Sequence, residues 1–302
     1  MEITKQLEID EYHGQILNNH SILNILNLLQ FNFLRLSDIV NDDKALLRSY
    51  GSIQELALLV SRKSIGEGEA EKIRALHQDV LQDVYRAAAG AQSGESTRVQ
   101  TMVNTIEKII EVLNIRLNEL VKQSSDGPGT WIAFTAEELR ADILAFFDAV
   151  EQNSRGSYRF VENIALKDDR SYFVDLQFHS ANADRITMPL LVKDVFRDLV
   201  ANARKYTDPG GNILAGVFQD AEHLRMLVED NGRGIPEESI ESVVDFGIRA
   251  GNAISKTSYG GGFGLTKAYY ITKNFGGRMW IESEINYYTR IKVVIPNQTS
   301  KL

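Results

Sequence analysis

Asp198-Leu199-Val200-Ala201-Asn202-Ala203-Arg204-Lys205-Tyr206 closes a strongly periodic segment that opens at Pro189. Its apolar spacing predicts one amphipathic helix over 189–206. Asp198 and Asn202 stand four residues apart on one helix face, so both side-chain oxygens can point at a single cation. Mg2+ takes oxygen ligands and keeps several waters, so one amide oxygen plus phosphate oxygens suffices as a shell. Lys205 is placed to meet phosphate, and Tyr206 to lie against a base. Taken alone, the same residues also describe an ordinary helix with an exposed polar end.

Two further segments lie C-terminal to it. Glu229-Asp230-Asn231-Gly232-Arg233-Gly234-Ile235-Pro236 follows a predicted strand. An Asp at a strand end can accept from the exocyclic amine of adenine, a contact guanine cannot reproduce. Gly232 and Gly234 let the backbone turn tightly beside a planar base, although Asn, Gly and Pro also make plain turns. Tyr259-Gly260-Gly261-Gly262-Phe263-Gly264-Leu265 runs into a helix, where clustered N–H groups and the helix N-terminus favour phosphate. No Gly-Lys-Ser/Thr follows it and no strand precedes it, which excludes a P-loop and a dinucleotide fingerprint.

Together and in this order, the segments resemble the ATP-binding domain of the histidine kinase, gyrase and Hsp90-type ATPase superfamily, and within it the sensor histidine kinases. Asn202 to Tyr206 is similar to the N box, Asp230 to Gly234 to the first glycine box, Val244-Asp245-Phe246-Gly247 to the F box, and Gly260 to Leu265 to the second glycine box. Gly276 to Ser283 resembles the strand that follows in sensor kinases. The resemblance implies that Asn202 coordinates Mg2+, Lys205 contacts phosphate and Tyr206 lines the base pocket. Asp230 would read the adenine amine, with Gly232 and Gly234 shaping that wall. Gly260, Gly262 and Gly264 would form a phosphate-facing lid. Arg204, Arg249 and Lys256 are further cations within reach of phosphates, or simply solubilising surface charge. Asp198 departs from the Asn common there in histidine kinases; hydrolytic members of the superfamily carry an acidic general base at that position.

The N-terminal half reads differently. Residues 7–123 contain no proline, and Ile22, Leu26, Leu29, Phe33 and Leu36 form a heptad-like seam in a helix expected over 7–40. Further helices are expected to about Arg62, over 70–89 and over 97–121. The run Ser124 to Gly129 is the best linker. After it, Thr135 and Glu138 make a capping box. Strands are then expected over 158–165, 172–179, 212–219, 224–229, 278–283 and 289–295, with helices over 236–244 and 264–275. The fold class is therefore α+β: an all-α bundle over 1–125 and an α/β sandwich ATP-binding domain over 131–298.

Among the five His residues, His20 stands out, because His20-Ser21-Ile22-Leu23-Asn24 resembles a histidine-kinase H box. His20 and Asn24 fall opposite the apolar seam. Ser21 replaces a common acidic residue, and no proline follows Asn24. The chain has no Cys and a net charge of −8, which excludes thiol chemistry and disfavours non-specific nucleic-acid or anionic-membrane binding. With no long apolar run and no signal-peptide pattern, a cytoplasmic location without membrane insertion is expected. The expected function is ATP-dependent phosphorylation of His20, assisted by Asp198, and onward transfer to a response-regulator receiver domain, by a homodimer joined through the N-terminal helices. A serine kinase of the same superfamily and a non-catalytic ATP-binding scaffold are the alternatives.

Overall fold

The computed structural model describes the chain apart from residues 43, 45, 63–64, 91–94, 128, 155, 183–184, 254–261 and 298–302. It divides into two compact units, Ile9–Gly127 and Met1–Glu8 with Pro128–Leu302.

The first unit is helical: α1 (Glu11–Asn18), α2 (His20–Val40), α3 (Leu47–Arg62), α4 (Glu67–Ala89) and α5 (Ser96–Asp126). Asp10 caps α1 by accepting from the His13 N–H at 2.7 Å. The helix expected over 7–40 is instead broken at Asn19. There the buried Asn19 amide donates to Val60 O at 2.6 Å, tying the break to the end of α3. The seam Ile22, Leu26, Leu29, Phe33 and Leu36 is fully buried in one cluster with Ile53, Val80, Ile106, Leu113 and Leu117 from the other helices. Asn41 ends α2 in the left-handed conformation (φ 53°), and α3 begins at Leu47.

The second unit contains β1 (Glu2–Ile3), β2 (Trp131–Thr135), α6 (Ala136–Asn153), β3 (Arg159–Val161), β4 (Ser171–Ser180), β5 (Arg185–Pro189), α7 (Leu190–Tyr206), β6 (Asn212–Gln219), β7 (His223–Asp230), α8 (Gly264–Asn274), β8 (Arg278–Glu284) and β9 (Tyr288–Pro296). Seven strands form one mixed sheet in the order β1-β8-β9-β7-β6-β4-β3, and β2 pairs with β5 separately. The β3–β4 and β4–β6 pairs are parallel and the rest antiparallel. Alternate residues of the sheet (Val174, Ala215, Met226, Ile281 and Val293 among them) share one core with Phe147, Val195, Leu199 and Tyr269 of the helices. One sheet face is thus covered by α6, α7 and α8, giving a two-layer α/β sandwich.

The chain start belongs to this sandwich rather than to the helices. Ile3 is buried in its core, Met1 donates its amine to Ile281 O at 2.7 Å, and the Tyr269 hydroxyl reaches Lys5 O at 2.6 Å. Two-residue β1 has no periodicity to read, so only its pairing partner reveals it. The expected strand over 158–165 stops at Val161 and gives way to a 3-10 turn, Ile164–Leu166. The helix expected over 236–244 is two short 3-10 turns, Glu237–Ser239 and Ser242–Val244.

Candidate functional site

The site grows from the C-terminal turns of α7. Pro189 sits at the N-cap with extended backbone, where a missing N–H costs nothing. One α7 face buries Val195, Leu199, Val200 and Ala203 against the sheet. This leaves Asn202, Lys205 and Tyr206 half-buried at its end. The backbone then returns through Thr207, which is buried.

Asp230 ends β7, a central strand. It is 7% exposed, and desolvation pushes its carboxyl up to about 7, against the N–H of Gly232 and the Thr207 hydroxyl, which favour the ionised form. Both donors reach the same oxygen: Gly232 N–H to Oδ1 at 3.0 Å and Thr207 Oγ1 to Oδ1 at 3.3 Å. Among the described residues Oδ2 accepts no hydrogen bond, which leaves it for an external donor such as an amine. Gly232 is confined between this carboxylate and Tyr206 O: a Cβ there would lie 2.7 Å from Asp230 Oδ1. Gly234 has φ +66°, and a Cβ on it would collide with Glu284 O. Both glycines of the first box are therefore dictated by close backbone approach. Arg233 N–H donates to Tyr206 O at 3.2 Å, so the N box and first glycine box are joined through backbone.

Asn202 meets the second glycine box. A Cβ on Gly264, the first residue of α8, would stand 2.7 Å from Asn202 Nδ2. Phe263 packs against Phe246, ring centroids 4.6 Å apart. The Thr266 hydroxyl donates to Asp245 O at 2.8 Å. These contacts hold the F-box segment against the start of α8. Gly262, at φ +82°, lies beside Ile248 O. Gly260 and Lys256 lie outside the described residues.

The remaining cations separate by environment. Lys205 Nζ lies over the Tyr206 ring at 4.9 Å. Burial raises the Tyr206 phenol pKa, while nearby Arg249 opposes the shift. Arg204 turns to Tyr158, stacking over its ring at 5.0 Å and donating to its hydroxyl. That is neither of the roles expected for it: aromatic packing occupies it. Asp198 is bound to a partner the sequence did not suggest, the fully buried Lys267 of α8, whose Nζ is 2.8 Å from Asp198 Oδ2. Thr207 and Lys267 were missed because each becomes meaningful only through a residue far along the chain.

In the helical unit, His20 is 6% exposed rather than on an open face. Its Nε2 lies 3.0 Å from Asn24 Nδ2; an amide N–H only donates, so Nε2 is the accepting nitrogen. The H-x-x-x-N spacing thus brings both residues together, inside the bundle.

Residues 188–299 match the family described as histidine kinase-, DNA gyrase B-, and HSP90-like ATPase. Among curated proteins, the chain is similar to sensor histidine kinases. It is 25% identical over 197 residues to sensor histidine kinase WalK of Bacillus subtilis, covering 64% of this chain and 29% of WalK. It is 28% identical over 123 residues to the adaptive-response sensory kinase SasA of Synechococcus elongatus, covering 40% of this chain and 30% of SasA. The match therefore spans under a third of either relative. Among solved structures, the catalytic domain of histidine kinase ThkA aligns at 22% identity and TM-score 0.40, covering 55% of this chain and 95% of that domain.

The matched family description implies a nucleotide, and nucleotide phosphates carry a divalent cation. The free Asp230 Oδ2 in a desolvated niche fits a base amine. No group of three or more His, Asp or Glu among the described residues could hold a metal. The lone amide oxygen of Asn202 fits an ion that completes its shell with waters and phosphate oxygens.

Proposed function

We propose that the chain is an ATP-dependent protein histidine kinase that phosphorylates His20 and passes the phosphoryl group to an aspartate of a response-regulator receiver domain. The observation that carries the reading is Asp230, buried at a strand end with one carboxylate oxygen tied to Thr207 and Gly232 and the other open to a donor. In this reading Asp230 accepts from the adenine amine, Gly232 and Gly234 admit the base plane, and Tyr206 lines the pocket. Lys205 meets phosphate, and Gly260, Gly262 and Gly264 close over it. Asn202 holds Mg2+, which when bound spreads the negative charge of the phosphates.

Phosphoryl transfer rests mainly on positioning and charge stabilisation. The Nε2 lone pair of His20 attacks the γ-phosphorus; the N–P bond forms as the bond to the ADP oxygen breaks. Asp198 orients the reacting group. Because His20 is buried and its Nε2 engaged by Asn24, the helical unit must open locally before it reacts. Homodimerisation and a cytoplasmic location belong to the same proposal. The seam of α2 is already filled within one chain, so a dimer would use other side chains, such as the exposed Leu28 and Leu34. No helix among the described residues is long and apolar enough to cross a membrane.

That self-filled bundle favours one second reading, a protein serine kinase of the same superfamily built on a monomeric helical bundle. Incubation with γ-labelled ATP and Mg2+, followed by separate acid and alkali treatment, distinguishes the two. Acid-labile label lost in His20→Gln supports the histidine kinase. Alkali-labile label supports the serine kinase, and absence of both label and phosphate release supports a nucleotide-binding scaffold.

A further inference from the structure

Charges packed between α6, α7 and α8 form one chain of alternating sign around the buried Arg197 and Lys267. Asp142 of α6 pairs with Arg197 of α7 through both carboxylate oxygens. Arg197 Nη1 lies 3.8 Å from Asp194 Oδ1. Asp194 pairs with Lys267 of α8, and Lys267 Nζ also lies 2.8 Å from Asp198 Oδ2. The Lys267 side chain has 0% exposure, against 13% for Asp194 and 15% for Asp198. A desolvated ammonium is tolerated only when paired. Asp194 and Asp198, one helical turn apart on α7, supply two carboxylates to the one ammonium.

Packing alone does not require this charge, since an apolar side chain of similar length would fill the same volume. Its location suggests what it does. Lys267 lies three residues beyond Gly264, which abuts Asn202, and Asn202 lies four residues beyond Asp198. The α7–α8 contact thus joins two pairs, Asn202 with Gly264 and Asp198 with Lys267, within a single turn of each helix.

We infer that Lys267 is a positioning residue for the phosphoryl transfer: it holds Asp198 as an oriented carboxylate and fixes the start of α8 against Asn202. The inference rests on the kinase reading. Lys267 touches no substrate; it acts through Asp198. Among the described residues Asp198 is ion-paired with Lys267 of α8, which Asp194 also contacts, and Asp194 in turn faces Arg197. Removing the ammonium leaves the Asp198 carboxylate without the counter-charge that orients it.

The test compares the full chain with Lys267→Met. Because that change strands two carboxylates, Asp194→Asn/Lys267→Met, which strands one, is made alongside it; circular dichroism establishes which variants fold. In a folded variant the maximal rate of labelling from γ-labelled ATP should fall about tenfold or more at pH 7, the scale of a lost acid–base or orienting group. KM for ATP and affinity for ADP should stay within about threefold, since the lost contact is not a uniform binding contact. A wild-type rate, a rise in KM for ATP large enough to account for the loss, or failure of both variants to fold overturns the inference and leaves the kinase reading in place. Absence of label in the parent protein overturns both.

Discussion

Asn202 and Gly264 approach so closely that a single methyl group on the glycine would stand 2.7 Å from the Asn202 amide nitrogen. This contact joins the end of the N-box helix to the start of the helix behind the second glycine box. Gly264 is helical and needs no unusual φ, so a Cβ there would have only to push aside the Asn202 amide, the end of a flexible side chain.

Gly264→Ala should therefore displace the Asn202 amide. We expect little change in stability, because the group that must give is the end of a flexible, half-buried side chain. ADP should bind more weakly, and ATP in Mg2+ weaker still, because Asn202 is the proposed cation ligand. Chemical denaturation and calorimetry read the two effects separately. Unchanged binding would remove Asn202 from the cation site.

Asp230 makes nucleotide binding depend on pH. Its carboxyl is raised to about 7 by desolvation, so near neutrality the free protein carries it partly protonated. An amine donor favours the ionised form, so ADP should bind more tightly as pH rises through about 7, with release of a fraction of a proton at pH 7. The sign for folding is opposite: the native carboxyl binds its proton more tightly than the unfolded one, so the stability it confers is present at low pH and lost as pH rises toward 7. Calorimetry in two buffers of different ionisation enthalpy measures the proton count. Asp230→Asn should abolish it, and Asp230→Ala should weaken ADP by about 1–3 kcal/mol.

Arg197, at 8% side-chain exposure, depends on Asp142 at 21%. Asp142→Ala leaves a buried guanidinium short of its bidentate partner and should cost about 3 kcal/mol or more. Replacing both by Ala and Met should recover part of the loss, since the pair is not required for packing. Denaturant midpoints of the single and double variants check this.

The helical unit has its own core, so its stability should be separable from the nucleotide site. Leu26 is fully buried in it, and Leu26→Ala should cost the unit about 2–5 kcal/mol. Affinity for ADP should be unaffected. A change in ADP affinity would show that the two units are energetically coupled.

Much of the second unit was legible along the chain because its signals are local. The 3.6-residue period of 189–206, the capping box of Thr135 and Glu138, and the tight glycines after Asp230 act over a few residues. The structure bears out the capping box in both directions, with Thr135 N–H donating to Glu138 and Glu138 N–H to Thr135 Oγ1. Gly232 and Gly234 are required by the backbone atoms that the turn brings near them. The seam from Ile22 to Leu36 was likewise readable, because a helical stripe records its buried face in its spacing.

What tertiary structure alone decided are the partners. Two-residue β1 exists only because Trp280 and Met279 of β8 pair with it, and it removes the chain start from the helical unit. His20 lies opposite its own helix's seam, yet other helices bury it; one helix's periodicity cannot say how many neighbours surround it. Asp198 reads as a free carboxylate until α8 brings Lys267 to it from 69 positions away in sequence. Sequence fixes what a side chain can do over one or two turns of its own element; burial and ion pairing depend on distances that only the folded packing of distant elements sets.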